Sequence, residues 1–234
     1  MPYYDFWRNK KTTLLGRRWI RQAAEYTLRM AARYVDPLDR VVEIGPGRGA
    51  LANVCRARRM VYIGIDANIG LLEEIERGSA VCSFVPPIPL DDAVCDAIIA
   101  NHVLEHMIGL PQAQMLISEM RRIVRPGGVV VITSPDVLWE GIEFWDCDYS
   151  HNFVTTARRM HQLFCDQALD VAYLGYVHNH LEGVMGALIG QIIRVVPYRA
   201  LDATPVSPLY VEQLYKLRMT FARSVLIIGR RRTR

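Results

Sequence analysis

The stretch Glu43-Ile44-Gly45-Pro46-Gly47-Arg48-Gly49 constrains this chain more than any other feature. It ends the short β-branched run Arg40-Val41-Val42-Glu43-Ile44, which reads as a buried strand, and it precedes a helical pattern from Ala50 to Arg58. A strand that passes into a helix through closely spaced glycines has to bend sharply and let a ligand touch its backbone. The spacing is G-x-G-x-G, one residue short of the G-x-G-x-x-G that sets a helix start against a pyrophosphate. A nucleoside without phosphates suits it better than a dinucleotide. Asp66 ends the next strand about twenty residues on, where a carboxylate reaches ribose hydroxyls across the carboxyl ends of the strands.

The rest of the chain repeats the strand-and-helix unit. A helix from Gly16 to Tyr34 is broken by Asp36-Pro37. After the glycine loop come a strand Met60 to Ile65, a helix Gly70 to Arg77, and strands Val81 to Phe84 and Asp96 to Asn101, the last two separated by the turn-rich residues 86–92. A helix from Pro111 to Val124 is expected to stop at Pro126-Gly127-Gly128, before a strand Val129 to Thr133. Thr155 or Thr156 should cap a helix running to about Leu169, followed by strands Val171 to Val177 and Ser224 to Gly229. This alternation predicts an α/β fold, a parallel sheet covered on both faces.

Composition narrows the class. At 234 residues and 51% hydrophobic, the chain can bury a full core within a single domain. No apolar run approaches the about 18–20 residues that span a bilayer, and the start carries no apolar leader core, so a soluble, cytoplasmic protein is expected. The five cysteines form no C-x-x-C pair, which argues for buried free thiols. Much of the net charge of +4 sits in Arg230, Arg231, Arg232 and Arg234, read here as an exposed basic tail.

Several motifs in order resemble the class I S-adenosylmethionine-dependent methyltransferases, in particular their small-molecule branch. They are Val41 to Gly49, Gly64-Ile65-Asp66, Ile88-Pro89-Leu90 with Cys95-Asp96-Ala97-Ile98-Ile99, Leu104-Glu105-His106, and Arg122-Ile123-Val124-Arg125-Pro126-Gly127-Gly128. The resemblance implies a Rossmann-like three-layer sandwich with a seven-stranded, mostly parallel sheet and an antiparallel last strand. It implies S-adenosyl-L-methionine as cofactor, with Glu43, Gly45, Pro46, Gly47 and Gly49 holding the methionine part and Asp66 both ribose hydroxyls. Ala67 would pack near the adenine, and Asn101 and His102 would line the cofactor from the other side. Where many relatives carry an aspartate for the adenine amine, this chain has Phe84, which stacks on the base or belongs to the core. In these terms residues 1–40 form an N-terminal helical cap and 41–177 the cofactor-binding core. Residues 178–223 are an insertion, 224–229 the last strand and 230–234 the basic tail.

Chemistry should gather at the carboxyl edge of the sheet. His106 is the first candidate for a general base, with His102, Glu105 and His151 beside it; a packing role for each stays open. His102 and His106 stand four apart, a spacing that could hold a metal on a helix, but no third ligand is evident and no metal is expected. Trp145, Asp148, Tyr149 and His151 lie in a stretch similar to the D-x-x-H-x-x-x-x-T segment of relatives that methylate small metabolites. They are the candidate acceptor-binding residues, although Asp148 and His151 could instead only cap the next helix. The apolar stretch Leu181 to Val196 needs cover, from a lid role over the acceptor, a homodimer contact or a membrane surface.

The leading reading is therefore a methyltransferase acting on oxygen, nitrogen or carbon of a small molecule, such as a sugar or a glycan precursor. RNA or protein as acceptor, a non-catalytic cofactor-binding partner subunit, and a nicotinamide-dependent dehydrogenase are the alternatives. No separate basic, aromatic-rich domain is present, so nucleic acid is not expected as a partner.

Overall fold

The strands are apolar at consecutive positions because both of their faces are covered. In β1 (Arg40–Ile44) and β4 (Cys95–Asn101), Val42, Ile44, Ile98 and Ala100 point to one face and Val41, Ala97 and Ile99 to the other, all at most 2% exposed. The computed structural model describes residues 13–73, 75, 79–178, 183–196 and 208–233. With β2 (Val61–Asp66), β3 (Ala80–Cys82), β5 (Val124–Pro135), β6 (Leu169–His178) and β7 (Arg223–Arg231), these strands form a seven-stranded sheet of order β3-β2-β1-β4-β5-β7-β6. The pairs from β3 through β5 are parallel, and β7 runs antiparallel to both β5 and β6. This is the Rossmann-like α/β sandwich that the motifs implied.

One face is covered by α1 (Leu14–Ala31) and α2 (Ala50–Ala57). Thr13 caps α1 by accepting from the Gly16 N–H at 3.1 Å, and Ala24, Leu28 and Ala31 turn one stripe of the helix inward. Burying Leu28, which is 0% exposed, contributes about 1.5–3 kcal/mol. After α3 (Ile69–Leu72), the opposite face takes α4 (Gly109–Ile123), then α5 (Val137–Glu140) and α6 (Glu143–Asp146) lead along the sheet edge to α7 (Ala157–Asp166), which packs beside α4. The insertion supplies α8 (Gly183–Arg194) and α9 (Pro208–Thr220). Among the described residues, no helix is long and apolar enough to cross a membrane.

Several expectations are corrected. Pro126-Gly127-Gly128 does not follow α4 as a loop: Val124 already pairs with Cys95, and the glycines lie inside β5 at a register shift opposite Cys95 and Ala97. A Cβ on Gly128 would stand 2.6 Å from the Asp96 carbonyl oxygen, so the bulge admits no side chain there. The basic tail is largely structure as well. Arg230 and Arg231 end β7, and Arg231 Nη1 donates to the carbonyls of Arg121, Arg122 and Val124 at 3.1, 2.9 and 2.7 Å. These carbonyls close α4, where a cation meets both the unpaired oxygens and the negative end of the helix.

The helix expected from Gly70 to Arg77 is described only as the single turn α3, with 74 and 76–78 outside the described residues. Also outside them are 1–12 of the N-terminal cap, 179–182 and 197–207 of the insertion, and Arg234.

Candidate functional site

The loop after β1 is shaped by three glycines with positive φ, Gly45, Gly47 and Gly49. Gly45 (φ 68°) donates its N–H to the Ile65 carbonyl at 2.9 Å, and a Cβ on it would stand 2.7 Å from Val103 Cγ2. Gly47 (φ 53°) has nothing within 4 Å of where its Cβ would be, so its backbone faces open space. Glu43, one residue before the loop on the strand, is buried and accepts a 2.6 Å hydrogen bond from the Tyr62 hydroxyl. Burial pushes its carboxyl up to about 8, against the opposing pull of hydrogen bonds from Tyr62 and Asn101.

Two cavities, of about 770 and about 990 Å³, meet at this loop and share Ile20, Gly45, Gly47, Arg48 and His102. Both have the size of small-molecule sites, about 300–1,000 Å³. The first lies between Ala23 and Thr27 of α1, Ala187 and Gln191 of α8, and the sheet-edge residues Glu43, Asn101, Thr133, Tyr176, His178 and Arg223. The second is walled by Asp66, Ala67, Asn68, Ser83, Phe84 and Val85 on one side and His106, Met107, Ile108, Tyr149 and Ser150 on the other. Burial raises the Asp66 carboxyl, while the backbone N–H groups of Asn68 (2.7 Å) and Ala67 pull it back down. Arg48 is the one permanent cation among the described residues of the second cavity, which makes it a poor host for phosphates.

Between β4 and α4 the chain makes a tight polar knot. His102 has φ 55°, a conformation that costs a non-glycine residue roughly 1–3 kcal/mol, and is held there by a 2.8 Å bond from its N–H to the Thr133 carbonyl. Its Nδ1 lies 3.2 Å from Oε1 of Glu105, which is wholly buried and accepts from the Ser134 hydroxyl at 2.8 Å through Oε2. Burial would raise the Glu105 carboxyl, but the His102 and His106 imidazoles outweigh it and hold it below the ordinary range. The Glu105 carbonyl accepts from the N–H groups of both Asn152 and Phe153 at 2.9 Å, which pins the 145–153 segment against residues 104–106. His151 is thereby brought beside His106, their ring centres 5.0 Å apart.

All the cofactor-side residues expected from the sequence except Glu43, Pro46, Gly49 and Asn101 line the second cavity; Glu43, Pro46 and Asn101 line the first, and Gly49, at φ 69°, caps α2. Phe84 is 71% exposed and faces the second cavity, so it is not a core residue. His102 and His106 do not share a helix: only Leu104–His106 form a short 3-10 turn. Tyr149 lines the second cavity, whereas His151 is buried behind it with Nδ1 2.5 Å from the Phe144 carbonyl, and burial lowers its basicity. Asp148 binds Ser150, and it is Thr156 that caps α7, accepting from the Arg159 N–H, so Asp148 and His151 are not its caps. Trp145 is half exposed and stacks edge-on against Phe144. Sequence reasoning missed Ser150, Met107, Ile108 and the α1 and α8 residues, because their approach depends on tertiary folding rather than on any local spacing.

Residues 15–178 match the family model described as a methyltransferase domain. A Streptomyces fradiae protein described as an uncharacterized 37.1 kDa protein in transposon TN4556 is 31% identical over 120 residues, covering 47% of this chain and 33% of that protein. The chain thus matches about a third of the length of this curated relative. Among solved structures, a SAM-dependent methyltransferase from Archaeoglobus fulgidus superposes with a TM-score of 0.59 at 19% identity, covering 90% of this chain and 94% of that one. Geranyl diphosphate methyltransferase in complex with SAM superposes with a TM-score of 0.61 at 15% identity, covering 90% and 85%.

Proposed function

Because the chain belongs to the methyltransferase domain family, in the class that uses S-adenosylmethionine, we propose that it transfers a methyl group to a small-molecule acceptor. The observation that carries this reading is the meeting of two cavities at one glycine loop: a donor lying across the loop has its methionine end in the first and its adenosyl end in the second, whose far wall is left for an acceptor. The residues fit the donor. Gly47 leaves its backbone bare, Asp66 offers a fixed carboxylate at ribose height, and Ala67 and Phe84 form an apolar place for a base. Glu43 waits buried at the other end for a cationic amino group.

When bound, S-adenosylmethionine supplies a methyl group activated by its sulfonium. The chain's part is to align the partners and exclude water, and alignment alone can remove about 7–11 kcal/mol of a barrier. Gly45, Pro46, Gly47, Gly49 and Asn101 orient the methionine end. His102 lines both cavities and is backed by Glu105, a stronger placement for a general base than that of His106 or His151. Tyr149, with Asp148 behind Ser150, shapes the acceptor's side of the second cavity, Trp145 stands outside its lining, and α8 with α1 lids the first. A neighbour in fold that acts on geranyl diphosphate supports an acceptor of modest size.

The test is to incubate the protein with methyl-labelled S-adenosylmethionine and separate small metabolites, RNA and protein. Label in the metabolite fraction is expected. Label confined to RNA or protein, or no transfer despite tight donor binding, would reject the reading.

A further inference from the structure

His106 and His151 are two imidazoles that the transfer reading leaves without a task, and together with Glu105 they present one ligand atom each within 4.8 Å of one another. We propose that Glu105, His106 and His151 form a binding site for a divalent transition-metal ion of the zinc type, at the wall of the second cavity. No local spacing announces it, because His151 arrives from another segment, stapled in place by the two hydrogen bonds to the Glu105 carbonyl.

Three observations point to a ligand rather than to packing. Each ring has its Nδ1 already engaged by an outer partner. His151 Nδ1 faces the Phe144 carbonyl, which can only accept, so the hydrogen is on Nδ1 and the lone pair on Nε2. His106 Nδ1 lies 2.8 Å from the Ser150 hydroxyl, which itself lies 2.6 Å from Asp148 Oδ1. The carboxylate takes the hydroxyl hydrogen, Ser150 accepts from His106, and Nε2 of His106 is again the free lone pair. Imidazoles that bind metals are held in this way, the second ring nitrogen donating to a carbonyl or to a carboxylate-backed group.

The third ligand is the buried Glu105 carboxylate. Its Oε2 is served by Ser134, but Oε1 makes no aligned hydrogen bond, and the His102 nitrogen at 3.2 Å lies out of line. Beside the His102 imidazole at 3.2 Å, Oε1 keeps a lone pair that a metal ion can take. Two imidazole nitrogens and a carboxylate oxygen form a donor set suited to zinc, iron or manganese rather than to calcium or magnesium. In the tetrahedral geometry of zinc, ligand atoms about 2.0–2.1 Å from the ion stand about 3.3–3.4 Å apart, so side chains that now lie within 4.8 Å need to close by up to about 1.5 Å. As His106 also lines the second cavity, an ion here would have an open side on which an acceptor oxygen could bind.

The test uses the full chain after dialysis against a chelator, with no methyl donor or acceptor present, so its outcome is independent of the transfer reading. Zinc, manganese and magnesium chlorides are titrated by calorimetry, and cobalt(II) is followed by its visible absorption. One bound transition-metal ion per chain is expected, with weak or no magnesium binding. Glu105→Gln and His151→Ala should abolish it, and the less buried His106→Gln should do so in a chain whose circular dichroism is unchanged. Asp148→Asn touches no proposed ligand atom and should still weaken binding about 10- to 100-fold through Ser150 and His106. His161→Ala, which removes the exposed His161 beside Cys165, should change nothing. The proposal is overturned if the folded wild-type chain binds no transition metal, if binding survives His106→Gln, or if it disappears with His161→Ala.

Discussion

Glu43 and Asp66 are both carboxyls raised by burial, but they answer a bound donor differently. Asp66 is fixed by its neighbours' N–H groups and faces the second cavity, ready to share two ribose hydroxyls. Hydrogen bonds to a charged group are each worth about 1.5–3 kcal/mol, so Asp66→Ala should weaken S-adenosylmethionine binding by more than about tenfold in calorimetry. Glu43 sits at about 8 against an ordinary 4.5, so the free chain holds it protonated at neutral pH. A raised acid favours the fold most below its unfolded value, and that contribution falls away as pH climbs from 4.5 to about 8. Binding a cationic amino group reverses the preference and expels the proton. Donor binding should therefore release close to one proton near pH 6–7, a window between the two values, and tighten as pH approaches 8. Calorimetry in two buffers of different ionisation enthalpy reads that proton directly, and Glu43→Gln should remove it.

At the scale of elements, the sheet edge above the first cavity hangs on one ion pair. Asp136, 0% exposed, caps α5 through the Leu138 N–H and accepts from both Nε and Nη2 of Arg223 at the start of β7, at 2.9 and 2.5 Å. Removing one partner of such a pair leaves a buried charge uncompensated, so Arg223→Ala should cost about 3–5 kcal/mol in urea unfolding. A loss under about 1 kcal/mol would mean that Asp136 finds water instead. At the opposite end of the sheet, Asp96 accepts from the Asp39 and Arg40 N–H groups and from Arg125, tying β4, β1 and β5 at their starts. Burial works against the Asp96 carboxyl, but these donors overcome it and lower it; its support is present above the unfolded carboxyl value and is lost as pH falls through the folded one.

For the molecule as a whole, the first cavity exists only because α1, α8 and the carboxyl edge of the sheet converge. Ala187→Phe on α8 fills part of it. The methionine end of the donor lies in this cavity beside Glu43, Pro46 and Asn101, so crowding worth about 1–3 kcal/mol should raise the donor's Kd at least about fivefold. An unchanged donor Kd with a raised acceptor KM would show that the space under α8 takes the acceptor instead. The outward side of α8 carries Met185, Leu188 and Ile192, each more than half exposed, which is the apolar surface anticipated for the insertion.

Periodicity, glycine spacing and β-branched runs were sufficient to read the sheet-and-helix order, the loop after Ile44 and the acid at Asp66, because each depends on backbone conformation and burial over a few neighbouring residues. The same local reasoning misjudged Pro126-Gly127-Gly128, which pairing with the distant β4 takes into a strand across a register shift, and Arg231, whose partners are the carbonyls at the end of α4. It could relate His102 and His106 only by their spacing of four on a helix, from which no metal was expected. The folded chain instead turns His102 toward Glu105 and the cavities and sets His106 beside His151, forty-five positions away in sequence. Contacts across such separations are chosen by how the layers pack, and packing is a property of the whole core rather than of any segment.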